Sequence, residues 1–343
     1  GSPPPTACVA GGPVAIIRPI RMKSPRLSAR PHRWTGRIVA ALALCLALTS
    51  GLSAADARRL EVLFLGDNGH HQPAVRFFEL YRALGPRGLN LTYTDKLEDL
   101  NPQTLAKYDA LMLYANWTKI EPSQEAALLE YVRGGRGFVP LHCASYCFLN
   151  SMRFTGLVGG RFKSHGTGVF QTKVVTPEHP IMKGFQPFET WDETYVHEMH
   201  NNDSRTVLQV RENEPYTWVR TEGQGRVFYT AYGHDQRTFT NAGFTDLVYR
   251  GTVWAAGEKA AAALAALNLK PFQYIDGAEV PNYERREPAP KLQAPLPAAE
   301  AQKHIYVPPD FALSLFASEE QGLWNVIEFK FDELGRLWTC ESL

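Results

Sequence analysis

Apolar and polar residues alternate along the chain in blocks that predict strands and helices in turn. An apolar run from Val62 to Leu65 ends in Gly-Asp-Asn-Gly, which is typical of a buried parallel strand. Behind Pro73, a good first-turn residue, the apolar positions of residues 73–84 have helical spacing. The segments "LNLTYTD", "DALMLYAN" and "GFVPLH" predict further strands, and "PSQEAALLEYVRGG" predicts a helix with a Gly-Gly stop. This alternation predicts an α/β fold with a doubly wound parallel sheet.

Beyond residue 168 the pattern becomes rich in strand-like segments, among them "GVFQTKVV", "ETWDETYVHEM", "RTVLQVR", "PYTWVR" and "GRVFYTAYG". We expect some of these segments to add antiparallel strands to the parallel core. From about Phe239 the apolar residues recur at helical spacing as far as Trp254. This spacing predicts a closing helix with one buried face.

The N-terminal stretch has the layout of a secretory signal peptide. From Met22 a basic region precedes an apolar run, Ile38 to Leu48, and small-x-small sites follow between residues 53 and 57. The run is short for a membrane span, which needs about 20 residues, although an uncleaved anchor is the alternative. We therefore expect residues 1–57 to be an upstream extension plus signal peptide, and the protein to be exported to the periplasm or cell envelope.

Composition is that of a globular protein, with 44% hydrophobic and 21% charged residues. Removing residues 1–57 takes seven basic residues and one acidic residue from totals of 36 and 35, so the remainder carries a net charge of about −5. That balance predicts no nucleic-acid partner. Three cysteines remain, Cys143, Cys147 and Cys340, and an odd number does not make a disulfide framework.

The C-terminal part divides from the α/β domain at a proline-rich segment. We assign residues 58–275 to the α/β domain and residues 276–303 to a linker, because its composition favours extended backbone. Residues 304–343 include "FKFDELGRLWTC", which predicts two strands around a turn. We expect this region to be the truncated start of a second, β-rich domain.

The candidate chemistry lies at the predicted strand ends. In an open α/β sheet, ligands bind outside the carboxyl ends of the strands. This rule selects the loops after "VLFL", "GFVPL" and "RVFYTA", and two further polar clusters are expected to fold over the same edge. The candidate residues are Asp67, Asn68, His70, His71, His142, His165, Asp192, Glu193, Tyr195, His234 and Asp235.

Two kinds of chemistry fit these residue types. Neutral imidazoles beside a carboxylate bind Zn²⁺ or another divalent ion, and His71, His142 and His234 are the candidate ligands. Alternatively, His142, His234, Asp192 and Glu193 transfer protons near pH 7. The spacing is not a compact metal motif such as H-E-x-x-H, and a hydrogen-bonded structural role is the alternative for any single histidine.

The stretch "GFVPLHCASYCF" raises a third alternative, that Cys143 is a nucleophile at a strand-to-helix turn. Cysteines on such elbows are usually flanked by glycine, whereas Pro140, Leu141, Ala144 and Ser145 surround this one. The flanks favour His142 over Cys143 as the functional residue.

Seven motifs in order over residues 60–257 carry a family resemblance: "GDNGHH", "PLHCAS", "GGRFKSH", "EHPIMKGF", "WDETYVH", "GRVFYTAYGHD" and "RGTVWAAG". Together they resemble the ThuA-like (trehalose-utilisation) family, which has a class I glutamine-amidotransferase-like fold. The resemblance implies a flavodoxin-like three-layer sandwich with added antiparallel strands.

The amidotransferase relation does not extend to the catalytic residues. Those enzymes use a Gly-x-Cys-x-Gly elbow and a late His-x-Glu pair, whereas here His142 takes the nucleophile's place and Gln236 follows His234-Asp235. The resemblance therefore implies sugar metabolism rather than glutamine hydrolysis, with a small-molecule carbohydrate, an oxidised (keto) glycoside, as the substrate. A non-catalytic carbohydrate-binding or scaffolding module is the alternative, in which aromatic side chains stack on sugar rings: Trp117, Trp191, Tyr195, Trp218 and Tyr232.

The tail resembles the junction into membrane-bound dehydrogenase proteins of Planctomycetes and Verrucomicrobia, through "VPNYERR", "HIYVPPDFALSLFAS" and "FDELGRLWTCES". This resemblance implies a downstream glucose/sorbosone-dehydrogenase-like β-propeller as the partner domain in the full-length protein. No Cys-x-x-Cys-His occurs in the sequence, so haem is not predicted for this chain.

Overall fold

The computed structural model describes residues 56–275, 291–323 and 326–341. The described residues fall into two compact units, one within Ala54–Ser314 and one that includes Leu315–Leu343. The signal peptide predicted for residues 1–57 lies outside the described residues except for its last two positions. Among the described residues, no helix has the length and apolar character needed to cross a membrane.

Sixteen strands are described, and all but the last two belong to the first unit. They are β1 (Leu60–Leu65), β2 (Leu89–Thr94), β3 (Ala110–Leu113), β4 (Gly137–Pro140), β5 (Arg161–Ser164), β6 (Thr167–Gln171), β7 (Lys173–Val174), β8 (Glu189–Glu193), β9 (Val196–Glu198), β10 (Arg205–Arg211), β11 (Glu214–Glu222), β12 (Gly225–Thr230), β13 (Tyr274–Ile275), β14 (Leu292–Gln293), β15 (Val326–Phe331) and β16 (Leu337–Glu341).

The α-helices of the described residues are α1 (Pro73–Leu84), α2 (Pro102–Leu105), α3 (Pro122–Arg133), α4 (Met152–Val158), α5 (Gln236–Phe239), α6 (Ala242–Ala255), α7 (Glu258–Ala266) and α8 (Ala298–His304). Proline occupies the first turn of α1 and α3, where the missing N–H has no intrahelical partner to lose. A capping box between Glu121 and Gln124 starts α3, and the chain leaves the helix at Gly134.

The central sheet has eight strands in the order β2-β1-β3-β4-β12-β11-β10-β7. The first five run parallel, and β11, β10 and β7 extend the sheet in antiparallel fashion. The expected parallel core with antiparallel additions is thereby confirmed. Three two-stranded sheets accompany it in the first unit: β5 with β9, β6 with β8, and β13 with β14.

Helices cover both faces of this sheet. A Cβ atom at Gly225 on β12 would lie 1.9 Å from the carbonyl oxygen of Val132 on α3. A Cβ atom at Gly251 on α6 would lie 2.4 Å from the ring of Phe228 on β12. Because side chains alternate between faces along a strand, positions 225 and 228 face opposite ways, so α3 and α6 lie on opposite faces. This is the three-layer arrangement expected of a doubly wound fold.

The segment predicted as a linker, residues 276–303, is described from residue 291, where it contains β14 and α8. Residues 303–310 lie against the α/β body. Tyr306 Oη and Thr92 Oγ1 are 2.7 Å apart, Lys107 pairs with Asp310 at 2.5 Å, and Arg59 donates to the carbonyl oxygen of Lys303 at 3.0 Å. The tail to about residue 310 is therefore part of the first unit.

The second unit contains the hairpin of β15 and β16, which the sequence predicted as two strands around a turn. Every residue of β15 is exposed. Its apolar side chains Ile327 and Phe329 are 66% and 64% exposed, so the strand carries uncovered apolar surface. The propeller predicted for residues 304–343 stays a prediction.

Candidate functional site

Four side chains meet beyond the carboxyl ends of the parallel strands. His71 lies in the loop between β1 and α1, His142 follows β4, His234 follows β12, and Glu193 ends β8. The strands β1, β3, β4 and β12 are consecutive in the sheet and parallel, so their carboxyl ends share one edge. We call these four residues the histidine cluster.

The atoms of the histidine cluster are close enough to act together. One nitrogen or oxygen of each side chain lies within 4.8 Å of those of the others. Glu193 Oε2 is 3.3 Å from His142 Nε2, and Glu193 Oε1 is 3.2 Å from His234 Nδ1. Three of these atoms, His71 Nε2, His142 Nε2 and His234 Nδ1, are buried without a hydrogen bond of acceptable geometry. The cluster thus concentrates unused polar atoms in one small volume.

His142 is held in an uncommon backbone conformation. Its φ is +46°, in the left-handed region that few non-glycine residues adopt. The hydroxyls of Ser145 and Tyr229 both donate to its carbonyl oxygen at 3.1 Å. Its Nδ1–H donates to the carbonyl oxygen of Ala231 at 2.6 Å, so that in the neutral tautomer Nε2 carries the lone pair. The left-handed turn is what places a fully buried imidazole at the strand end.

The tautomer of His71 is also fixed by a hydrogen bond at Nδ1. Its Nδ1 lies 2.7 Å from Asn116 Oδ1, which accepts the proton and leaves Nε2 bare. Asn116 is placed in turn by Asp67, whose carboxylate accepts the backbone N–H of Asn116 at 2.5 Å and that of Gly69 at 2.7 Å. The role of Asp67 in the structure is therefore to order the loops that carry His71 and Asn116.

Asp192 supports the cluster without joining it. Its carboxylate is fully buried and accepts the backbone N–H groups of Gly233, His234 and Glu193 at 2.8, 3.1 and 2.8 Å. Thr238 Oγ1 donates a fourth hydrogen bond at 2.8 Å. Since both oxygens are occupied, Asp192 positions His234 and Glu193 and has no free acceptor for a substrate.

The electrostatics of the cluster combine one anion with at least one neutral imidazole. Burial alone would raise the pKa of the Glu193 carboxyl, but its interactions with His142 and His234 outweigh burial and hold that pKa well below its usual range. The interaction with Glu193 raises the pKa of His234. Burial, together with the neighbouring His142, lowers the pKa of His71 to about 3. At neutral pH, Glu193 is therefore an anion and His71 is neutral.

Other residues selected from the sequence lie around the cluster. His165 is exposed, and its Nδ1 is 3.5 Å from Glu193 Oε1. His70 is exposed, with its ring centroid 4.0 Å from that of His71. Tyr195 is buried and stacks on His142 at 4.2 Å. These three residues contact the cluster.

Two selected residues point to other partners. Asn68 Nδ2 donates to Asp95 Oδ2 at 3.1 Å on the surface. Asp235 caps α5 by accepting the backbone N–H of Arg237 at 2.9 Å, and it also pairs with the guanidinium of that residue. The structure does not bring either side chain into the cluster.

Cys143 is adjacent to His142 in the sequence but is not one of the four residues of the histidine cluster. Its side chain is fully buried, and burial raises the pKa of its thiol well above the usual value. A thiolate is therefore not available at neutral pH. Cys147, also buried, donates to the carbonyl oxygen of Ala115 at 2.8 Å.

Sequence reasoning missed two partners of the histidines. Asn116 follows β3 as the candidate residues follow the other strands, so the same strand-end rule could have found it. The carbonyl of Ala231 carries no signal in the sequence, because any residue at that position would supply it. Both groups matter because each fixes which imidazole nitrogen faces the cluster.

The aromatic residues considered for sugar stacking are mostly internal. Trp218, Tyr232 and Tyr195 are buried. Trp191 is half-buried, lies 5.9 Å from the His234 ring between centroids, and has the Arg237 guanidinium 3.3 Å from its own centroid. Trp117 donates its indole N–H to the carbonyl oxygen of Gly66 at 3.1 Å. Trp191 is the one of the five that lies at the rim of the cluster.

Fold and site together define a class: flavodoxin-like proteins with the glutamine-amidotransferase-like topology, carrying a histidine cluster where the amidotransferases carry a nucleophile elbow. Within that class the chain belongs to the ThuA family, described as trehalose utilisation, whose model matches residues 61–255.

Solved structures agree on the fold. A ThuA-like protein from Parabacteroides merdae is similar at a TM-score of 0.53 and 19% identity, over 58% of this chain and 90% of that one. A ThuA-like protein from Bacteroides uniformis is similar at a TM-score of 0.50 and 21% identity, over 59% of this chain and 93% of that one. Comparison with curated proteins gives no significant match.

Proposed function

We propose that the α/β unit processes a carbohydrate that carries a carbonyl group, a keto-glycoside, by proton transfer beside the carbonyl or by hydrolysis of the glycosidic bond. The observation that supports the proposal is the histidine cluster, whose buried nitrogens lack partners at the ligand-binding edge of the sheet. The family description, trehalose utilisation, supports a carbohydrate as the substrate.

The chemistry requires two functions from this site. A base takes the proton from the carbon next to the carbonyl, and the electron pair moves onto the carbonyl oxygen. That oxygen then needs a positive or hydrogen-bond-donating group beside it. The neutral His71 imidazole and the Glu193 carboxylate supply proton acceptors, and His234, with its raised pKa, supplies a donor in the metal-free site.

The test uses keto-disaccharides in D₂O. We expect deuterium to enter the carbon beside the carbonyl, seen by NMR, or monosaccharide products to form, seen by mass spectrometry. His142→Asn and His234→Ala should lose this turnover; asparagine at position 142 tolerates the left-handed backbone. His179→Ala is the matched control, because His179 lies on Trp254 rather than in the cluster. Unchanged turnover in both cluster variants would overturn the assignment.

The non-catalytic binding module is the competing function, and the same assay separates it. Equilibrium binding of glycosides with neither exchange nor product would favour it. Export of the protein and its attachment to a dehydrogenase-like propeller stay predictions from the sequence. Secretion of a reporter fused after residue 57 would test the first.

A further inference from the structure

The histidine cluster has the composition and fixed tautomers of a transition-metal site. Each of its four residues offers one ligand atom, and these atoms lie within 4.8 Å of one another. Opposite ligands on a six-coordinate ion with bonds of about 2.1 Å are about 4.2 Å apart, so the space between these atoms has the size of one ion. A sugar ring does not fit between atoms so close.

The histidines present lone pairs rather than protons to this space. A carbonyl oxygen, that of Ala231, can only accept, so His142 Nδ1 carries a proton and the neutral tautomer has its lone pair on Nε2. Asn116 Oδ1 fixes His71 in the same tautomer. Imidazole ligands in metal sites characteristically donate their second N–H to a carbonyl, amide or carboxylate in this way. The outer hydrogen bonds of a metal site are therefore already present.

The buried atoms lack any other partner. Nε2 has no hydrogen bond in either His71 or His142, and both side chains are at least nine-tenths buried. Buried polar atoms in native proteins are nearly always paired. In the neutral tautomers of His71 and His142, two imidazole lone pairs face the Glu193 carboxylate, and such a set of acceptors attracts a cation.

We propose that His71, His142, His234 and Glu193 bind one divalent first-row transition-metal ion, of the class of Zn²⁺, Co²⁺ or Ni²⁺. Three nitrogen donors and one carboxylate suit these ions rather than Mg²⁺ or Ca²⁺, which prefer oxygen ligands. The His234 side chain is 26% exposed and that of Glu193 is 11% exposed, so this side of the ion is open to a water molecule or a substrate oxygen.

An ion in this site would supply the positive group that the proposed function requires beside the carbonyl oxygen. A bound divalent ion acts as a Lewis acid toward a sugar carbonyl, and the four cluster residues then serve as ligands. The exposed His165, whose Nδ1 lies 3.5 Å from Glu193 Oε1, is then an imidazole outside the ligand set and is placed to take the proton. The role of the ion in turnover rests on the proposed function, whereas its binding does not.

The binding test uses the full chain without an affinity tag, after dialysis against a chelator. We expect one Co²⁺ per chain, with visible absorption bands that Zn²⁺ abolishes by competition, and one Zn²⁺ per chain by mass spectrometry. His71→Gln, His142→Asn and Glu193→Gln should each weaken Zn²⁺ binding by more than the 10–100-fold typical of an outer partner. His179→Ala should bind as the wild type does.

A positioning variant adds a readout that a merely folded protein would not give. Asn116→Ala should weaken Zn²⁺ binding by about 10–100-fold, and Asn116→Asp, which keeps the acceptor for His71, should restore it. Circular dichroism and melting temperature show that each variant is folded. Binding that is absent, or that persists unchanged in folded His71 and His142 variants, would overturn the metal site.

The two proposals fail in different ways. Stoichiometric binding with no turnover of keto-glycosides would sink the proposed function and leave the metal site standing. Turnover by chelator-treated, metal-free protein at the same rate would leave the function and overturn the role of the metal in it.

Discussion

At the scale of single residues, two neighbouring side chains, those of His142 and Cys143, have different surroundings. His142 and Cys143 share a short turn, His142–Tyr146, directly after β4. The left-handed backbone of His142 aims its imidazole into the cluster, while the Cys143 thiol enters the core. Strain of this kind, about 1–3 kcal/mol, persists where the surrounding hydrogen bonds fix the conformation, and it is often found at functional sites.

The burial of Cys143 predicts chemical inertness. Iodoacetamide applied to the folded protein should label the exposed Cys340 but neither Cys143 nor Cys147, as followed by peptide mass spectrometry. Cys143→Ala should keep both metal binding and turnover, with a lower melting temperature from the lost packing. Loss of turnover in a folded Cys143→Ala protein would show that the thiol takes part in the reaction.

A second histidine, His197, predicts how stability depends on pH. It is buried, with Glu214 at Nδ1, Tyr229 at Nε2 and His200 nearby, and burial lowers its pKa. A lowered histidine pKa means that the unfolded chain binds the proton first, so stability is complete above pH 6.5 and falls as the pH drops below that value. Between pH 7.5 and pH 5.5 this histidine should cost at most about 1.4 kcal/mol of unfolding free energy.

The measurement is urea unfolding of chelator-treated protein at those two pH values. His197→Gln keeps a donor for Glu214 but cannot titrate, so its loss of stability over this interval should be smaller than that of the wild type. Glu214 has a lowered pKa, because its hydrogen bonds from His197 outweigh its burial, and its contribution is lost below about pH 4.5. Equal losses in the two proteins would contradict the prediction.

The residue scale also shows where sequence reasoning stops. His71, His142 and His234 could be selected because each follows a strand, and Glu193 because it lies in a polar cluster expected at the same edge of the sheet. The sequence could not show which of the selected residues face one another. Asp67 and Asp192 were selected by the same reasoning, but their carboxylates accept hydrogen bonds from backbone N–H groups. Hydrogen bonds to the backbone leave no pattern in the sequence.

At the scale of elements, periodicity was sufficient for the longer helices and the parallel strands. The expected helix over residues 73–84 is confirmed as α1, and the closing helix is confirmed as α6. The helix α8 was not expected, because its alanines and charged residues lie within a proline-rich segment. Its position depends on contacts with residues far away in the chain, such as Arg59.

The packing of α6 on β12 predicts a sharp difference between two glycines. An alanine Cβ at position 251 would lie 2.4–2.5 Å from three ring carbons of Phe228, so Gly251→Ala should lower the unfolding free energy by about 1–3 kcal/mol. At Gly85 no atom lies within 4 Å and φ is −54°, so Gly85→Ala should be neutral or stabilising by up to about 1 kcal/mol. Equal effects by chemical denaturation would contradict this packing.

At the scale of the whole molecule, the α/β body and residues 303–310 of its tail are expected to unfold together. Tyr306→Phe removes the hydroxyl that lies 2.7 Å from Thr92 Oγ1 and should cost about 0.5–1.5 kcal/mol. Tyr274→Phe is the matched control, because Tyr274 is 60% exposed. A Tyr306→Phe protein as stable as the control would show that the tail does not stabilise the body.

Much of the architecture at this scale followed from the sequence. Strand–helix alternation and the family motifs both indicated a parallel core, and the site was expected at its carboxyl edge. The sequence predicted antiparallel additions but not their order, β12-β11-β10-β7. The alternating pattern within β10 and β11 does not indicate which strands they pair with. Pairing is a long-range property that local pattern leaves open.

The hairpin of β15 and β16 has a consequence for handling the protein in solution. Among the described residues β15 pairs with β16 alone, and its apolar side chains Ile327 and Phe329 are uncovered, which is the geometry through which copies of a protein adhere edge to edge. Light scattering should therefore rise with protein concentration, and Phe329→Lys should suppress the rise without changing metal content. Crystallisation and storage would benefit from that variant first.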